Sequence, residues 1–224
     1  HPLYDATAAH YDFDVTAGSA LLDQVGWVDH DANPATARIA QNVAGVPNGT
    51  PLEFSMETTT ATFRMQYTQI LADSLAQCGI KANLNYLPAS EFFADGPDGI
   101  LFGRKFDVGF FAWLNGVIPP LELYTSFYVP GDPAKTWLPI MEPQAGLQSF
   151  TYGWGGQNET GYYNPVYDQV YETAVSLLPG EGGFATAHQQ AQNILSNDLP
   201  VIPLFPRIKL AAAGTHVSGF SLNP

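Results

Sequence analysis

Apolar residues recur along the chain at spacings that outline an alternation of helix and strand. In residues 17–25 they fall at helical intervals through Ala20, Leu21, Leu22 and Val25, and Gly26 supplies the stop expected after a helix. Residues 27–51 are rich in Asp, Asn, Ala, Gly and Pro without a period, which reads as a long loop holding at most a brief hairpin. A strand follows at 52–58. Thr58, Thr59 and Thr60 then offer caps for a helix whose apolar face takes in Phe63, Tyr67, Ile70, Leu71 and Leu75 and which ends at Gly79. Residues 80–87 alternate apolar and polar, so the order strand, helix, strand predicts a parallel pair. After a short helix at 90–94 and a Gly/Asp/Pro loop comes 107–113, DVGFFAW, apolar on both faces and predicted to lie inside a sheet.

The second half opens with six prolines between 119 and 161, a long loop with a short helix over 121–127, and loops of this length are usually functional or packed over a site. Asn164 followed by Pro165 marks a helix start, with Tyr167, Val170, Tyr171, Ala174 and Leu178 as its inner stripe. A further helix over 184–199 buries Ala187, Ala191, Ile194 and Leu195 and stops at Pro200. Strands are expected at 201–205 and 208–213. The pattern predicts one α/β domain over residues 1–224, a mixed sheet flanked by helices, without an internal repeat.

Composition sharpens this picture. Of the 224 residues 46% are hydrophobic and only 13% charged, so a substantial core is covered by a surface of neutral polar groups suited to carbohydrate-like or peptide-like neighbours. The net charge of −13 sets the chain against phosphate backbones and anionic lipid, which excludes nucleic acid as a partner class. The single Cys78 excludes an internal disulfide and a cysteine zinc site; at a helix end it reads as a small buried filler. No apolar run reaches the roughly 18 residues that span a bilayer. The chain opens on HPLYD rather than a basic then apolar leader, so any export signal is expected upstream or removed.

Ligands of α/β sheets bind beyond the carboxyl ends of strands, and the abrupt end of the 107–113 run makes Trp113, Asn115 and Gly116 a candidate site. On this segment alone Phe110, Phe111 and Trp113 read first as core aromatics, since apolar runs usually mean packing. In the long loop Trp137, Phe150, Tyr152 and Trp154 either stack on a ligand or pin the loop to the sheet. Asp29, Asp31 and Asn33 have the spacing of a calcium loop, but Pro34 stands where Gly is needed and no Glu follows at the twelfth position. The histidines show no zinc spacing, and His188 reads as a surface or capping residue. No nucleophile elbow, phosphate loop or dinucleotide fingerprint occurs, and no cofactor is expected. The rival from another class is a glycoside hydrolase, with Glu91 and Asp95 as acid and base; the plainer reading makes these helix-surface carboxylates.

Several segments, in order, resemble the C-terminal half of the extracellular solute-binding proteins of family 5, the oligopeptide, dipeptide and nickel receptors of ABC importers. These are residues 13–27 (FDVTAGSALLDQVGW), 51–54, 71–80 ending in Gly-Ile, 106–113 ending in Trp, 156–168 (GQNETGYYNPVYD), 197–205 (NDLPVIPLF) and 217–224 (VSGFSLNP). The resemblance implies a lobe of the type II periplasmic binding protein kind, the second jaw of a receptor that closes on its ligand by a hinge. The N-terminal lobe, with its signal peptide or lipid-anchor cysteine, is then absent from this chain. The implied function is capture of a peptide-like or other small polar solute outside the cytoplasm and delivery to a membrane permease. Trp113 would stack on the ligand, Asn115 and the Gly116 backbone would hydrogen-bond to it, and Asn158 with Tyr152 or Trp154 would close the pocket. Peptide receptors of this family commonly carry an Asp where Gly116 stands. A buried amine without a counter-ion is costly, so the departure implies a neutral or sugar-like ligand, or a peptide held by its backbone.

Overall fold

The computed structural model describes residues 2–33, 35–113, 116, 118–132, 152–205 and 212–219. The first helix, α1 (Val15–Gln24), starts where the Asp14 carboxylate accepts from the Ala17 N–H, satisfying one of the free donors of the first turn. Its inner side is lined by Val15, Gly18, Ser19 and Leu22; Leu21 and Val25, expected inside, face out. Gly26 ends it at φ +96°, and a Cβ there would stand 2.5 Å from the Gln41 carbonyl, so only glycine allows the chain to turn into the next strand. That strand, β1 (Trp27–Val28), pairs antiparallel with β2 (Ile39–Ala40), which is the brief hairpin anticipated inside the long loop. Arg38 is buried beside it, donating to the carbonyls of Trp27 and Cys78 and to the Asp23 carboxylate, and thereby fastens α1, the ribbon and the following helix together.

The main sheet has the order β4-β3-β5, all parallel. In the centre, β3 (Glu53–Thr59) buries Met56, Glu57, Thr58 and Thr59 in succession because both its faces are covered. The next helix, α2 (Thr62–Ala76), crosses over to β4 (Lys81–Leu87), whose burial alternates as its sequence does. The cap position of α2 is Ala61, not one of the threonines, since Thr58 and Thr59 belong to β3 and the Thr58 hydroxyl donates to the Phe110 carbonyl instead. The inner face of α2 is also rotated from the expected one. Thr68 is its buried residue, with its hydroxyl returned to the Arg64 carbonyl, whereas Tyr67 and Ile70 point outward.

After α3 (Ala89–Phe92), the run at 107–113 forms a ladder only over β5 (Val108–Gly109), extended by the Phe110 N–H to the Glu57 carbonyl. It is an edge strand among the described residues, with Val108 exposed, rather than one enclosed on both faces. Asp107 secures it, accepting from the N–H and hydroxyl of Ser55. The α/β class with flanking helices thus holds, parallel and antiparallel pairing being divided between two sheets.

In place of one helix over 121–127 there are two 3-10 turns, Leu121–Tyr124 and Ser126–Tyr128, interrupted at the extended Thr125. The second is tied to α4 (Pro165–Val175) through Asp168, which accepts from the N–H and hydroxyl of Ser126. Asn164 caps α4 by accepting from Val166 and Tyr167, with Pro165 at the first position. Against it packs α5 (Phe184–Asp198), and Tyr167, Ala174, Ala187, Ala191 and Leu121 form their shared core. Leu178 falls beyond α4 and is exposed. His188 is buried, not at the surface, with its Nδ1 at 2.9 Å from the Phe184 carbonyl and its ring against Phe184. Residues 201–205 form no strand, and Ile202 and Leu204 are exposed because no neighbour pairs with them among the described residues. The strand expected at 208–213 lies mostly outside the described residues. The start of the chain is bound back to α5, where Gln192 donates to the Leu3 carbonyl and Ser196 accepts from the Ala9 N–H.

Candidate functional site

Beyond the carboxyl ends of β3 and β5 the chain builds a wall of aromatic rings. The Phe110 carbonyl accepts from the Thr58 hydroxyl at 2.6 Å and from the Arg64 guanidinium at 3.3 Å, which fixes the exit direction of β5. Phe111 then meets Trp113 edge to face at 5.4 Å and leans on Phe92 and Phe93, each 6.3 Å away. Phe92 is the fully buried base of the wall, and Phe93 stands at 4.8 Å across it. The Arg64 guanidinium lies 6.0 Å from the Phe93 ring and 5.7 Å from Phe63, within cation-π range. Trp113 is therefore both packed and half-exposed, so the structural and the ligand-facing reading are compatible in one side chain. Gly116 is exposed; Asn115 lies outside the described residues.

The residues expected to close the pocket from the long loop have separate duties. Tyr152 is exposed and sits edge-on against Tyr128 at 4.5 Å. Trp154 lies flat enough on Gly96 that a Cβ there would come within 2.2 Å of the indole, so this tryptophan pins the loop to the segment after α3. Asn158 is 1% exposed, and every hydrogen-bonding valence of its amide is occupied. Its Nδ2 donates to the carbonyls of Thr125 and Tyr162, and its Oδ1 accepts from the Thr160 hydroxyl and the Tyr162 N–H. The ligand role expected of Asn158 has no free donor or acceptor to serve it; the residue is a junction between the 3-10 turns and the approach to α4. Trp137 and Phe150 lie outside the described residues.

Two buried carboxyl groups escape the sequence reading. Glu159, next to Asn158, has an Oε1 without a hydrogen-bond partner, and burial pushes its carboxyl up from 4.5 to about 8. The neighbouring Arg104 spends its guanidinium on the backbone carbonyls of Glu159 and Thr160 rather than on that carboxyl, and burial lowers its own pKa. These residues line a cavity of about 310 Å³ together with Phe106, Asp107 and Pro200. Glu57 on β3 is the second, raised by burial and by the Asp107 charge, with Oε2 unpartnered. A glutamate in the middle of a central strand is a signal that the sequence carries; Glu159 in its loop carries none. Because the folded state holds the Glu159 proton more tightly than the unfolded chain, stability falls as pH rises from about 4.5 to about 8 and levels off above. Denaturant unfolding of Glu159→Gln across this range is expected to lose that part of the slope, and a slope identical to that of the unaltered chain would refute the assignment.

Among the described residues no group of three or more His, Cys, Asp or Glu side chains is placed to hold a metal ion. No helix there is long and apolar enough to cross a membrane. Glu91, on α3, and Asp95, beyond its end, are both exposed, so the plainer reading holds for their exposure and for the helix only at Glu91.

No family model matches the chain. In sequence it is similar to the peptide transport periplasmic protein SapA of Salmonella typhimurium, 23% identical over 215 residues, covering 92% of this chain and 34% of that protein. In fold it matches the oligopeptide-binding protein of Thermus thermophilus, solved with a pentapeptide, at a TM-score of 0.65 and 24% identity, covering 89% of this chain and 30% of that one. It also matches a periplasmic oligopeptide-binding protein of Thermotoga maritima solved with mannohexaose, at a TM-score of 0.62 and 22% identity over 86% of this chain and 31% of that one. The chain spans about a third of the length of these relatives and has the fold of one part of them. The resemblance read from the sequence is thus met both in sequence and in fold.

Proposed function

We propose that the chain is one ligand-binding lobe of a solute receptor that works outside the cytoplasm and hands its cargo to an ABC permease, with no bond made or broken. The observation that carries this reading is the aromatic wall of Phe93, Phe111 and Trp113 beyond the carboxyl ends of parallel strands, the place where sheets of this kind take ligands. The wall is flanked by a cation, Arg64, and Gly116 offers backbone rather than a carboxylate. Such a surface suits ligands with a flat or apolar face and no free amine at that point, so a sugar ring or a peptide gripped through its backbone fits better than a peptide amino terminus. Both ligand classes are represented among the similar structures, a pentapeptide in one and mannohexaose in the other. A second lobe would supply the opposite wall, and the longer receptor would be held at the membrane by a lipid anchor or be free in a periplasm.

Exposed Glu91 and Asp95 give the glycosidase reading no enclosed acid and base. The experiment is a titration of manno-oligosaccharides and short peptides followed by calorimetry. Trp113→Ala is expected to weaken binding about tenfold or more, the loss of a central aromatic contact. Unchanged affinity removes Trp113 from the site, and turnover of an oligosaccharide removes the receptor reading altogether.

A further inference from the structure

At the end of the sheet away from the aromatic wall, α1 carries an apolar stripe that none of the described residues covers. Phe13, Ala17, Leu21 and Val25 recur every fourth residue from just before the helix to its C-cap, a spacing that sets them along one side. Phe13, Leu21 and Val25 are 74%, 62% and 58% exposed. A hydrophobic residue in the place of Phe13 ordinarily folds back on the fourth helical residue. Here that residue is Gly18, where a Cβ would stand 3.3 Å from the Cys78 Sγ, so Phe13 has no side chain there to fold back on.

The surroundings of the stripe are acidic. Residues 1–37 hold six Asp and neither Lys nor Arg. The first cation, Arg38, keeps its side chain 7% exposed and turned inward on two carbonyls and Asp23, while Asp12 and Asp14, on either side of Phe13 in the chain, remain at the surface. An exposed apolar patch with a rim of one charge marks an interaction surface and fixes the sign of what it meets. A second copy of this chain, with its own −13, and an anionic lipid surface are both repelled.

We propose that this face of α1 docks a basic amphipathic helix of a partner protein, apolar side chains on the stripe and Lys or Arg against the aspartates. Cys78, whose Sγ lies 3.6 Å from the Val15 carbonyl, places α1 at the amino end of β4, so an occupant leaves the wall at the carboxyl ends free. The inference does not depend on what the wall binds.

The test titrates the 224-residue chain with a synthetic amphipathic helix of leucine and lysine, beside the same peptide with glutamate for lysine. Binding of the basic peptide only is expected, weakening as salt rises, and the double variant Leu21→Ser, Val25→Ser should reduce it about tenfold or more. Since both side chains are exposed, the variant should keep its unfolding midpoint. Equal binding by the variant, equal binding of the acidic peptide, or no binding of the basic one overturns the proposal. So do stripe-dependent association with anionic vesicles and a stripe-dependent dimer in sedimentation, which assign the face to lipid or to a second copy.

Discussion

Phe92→Ala is expected to cost the fold about 3–5 kcal/mol, the usual range for deleting a fully buried ring. The side chain is 0% exposed and touches the rings of both Phe93 and Phe111. Collapse of the surroundings cannot heal the gap cheaply, because the same segment runs into Gly99, where even a Cβ would sit 1.8 Å from the Ala94 carbonyl oxygen. The effect should reach Trp113, which is held by Phe111 and through it by Phe92. Denaturant unfolding followed by both far-ultraviolet circular dichroism and tryptophan fluorescence measures it. A loss below about 1 kcal/mol would mean that the wall has no buried base.

Asn158→Ala should destabilise by an amount on the order of 3–4 kcal/mol, because it strands several buried partners at once. The carbonyls of Thr125 and Tyr162 lose their donor, and the Tyr162 N–H and Thr160 hydroxyl lose their acceptor. Asn158→Asp keeps the acceptor but turns a carboxylate toward two carbonyl oxygens, and should fail as well, more severely at higher pH. The ligand-contact role that sequence reasoning gives this residue leads to the opposite outcome, a weaker grip on cargo with the unfolding midpoint unmoved. Measuring stability and affinity on the same variant therefore separates the two, and an unaltered midpoint would return Asn158 to the site.

What the sequence made legible was periodicity backed by termini. The helix at Pro165–Val175 was foreseen from Asn164 and Pro165, whose local chemistry needs no tertiary information, and the alternating β4 from its two-residue period. The rotated face of α2 was not, because Tyr67 and Ile70 obey helical spacing as well as the true inner positions do; the choice was made by Thr68, a polar residue whose hydroxyl is satisfied within the helix. The length of the 107–113 strand was overestimated for a related reason, since an apolar run reports burial and not ladder pairing, and aromatic packing on Phe92 and Phe93 takes over after Phe110. Trp113 stands past the end of β5, packed on Phe111, a position that strand-end logic reads from the sequence; its contact with a ligand belongs to the proposal. The occupation of Asn158 was hidden because its four partners come from residues 125, 160 and 162, which only the folded turn brings round it.

The unequal seams of the sheet have a last consequence. Seven residue pairs join β3 to β4, but only two join β3 to β5. Opening the shorter seam costs less than opening the longer one, so the aromatic panel should tilt on its attachment before the rest of the sheet unzips, and the receptor proposed above would gain a wall that adapts to cargo of differing girth.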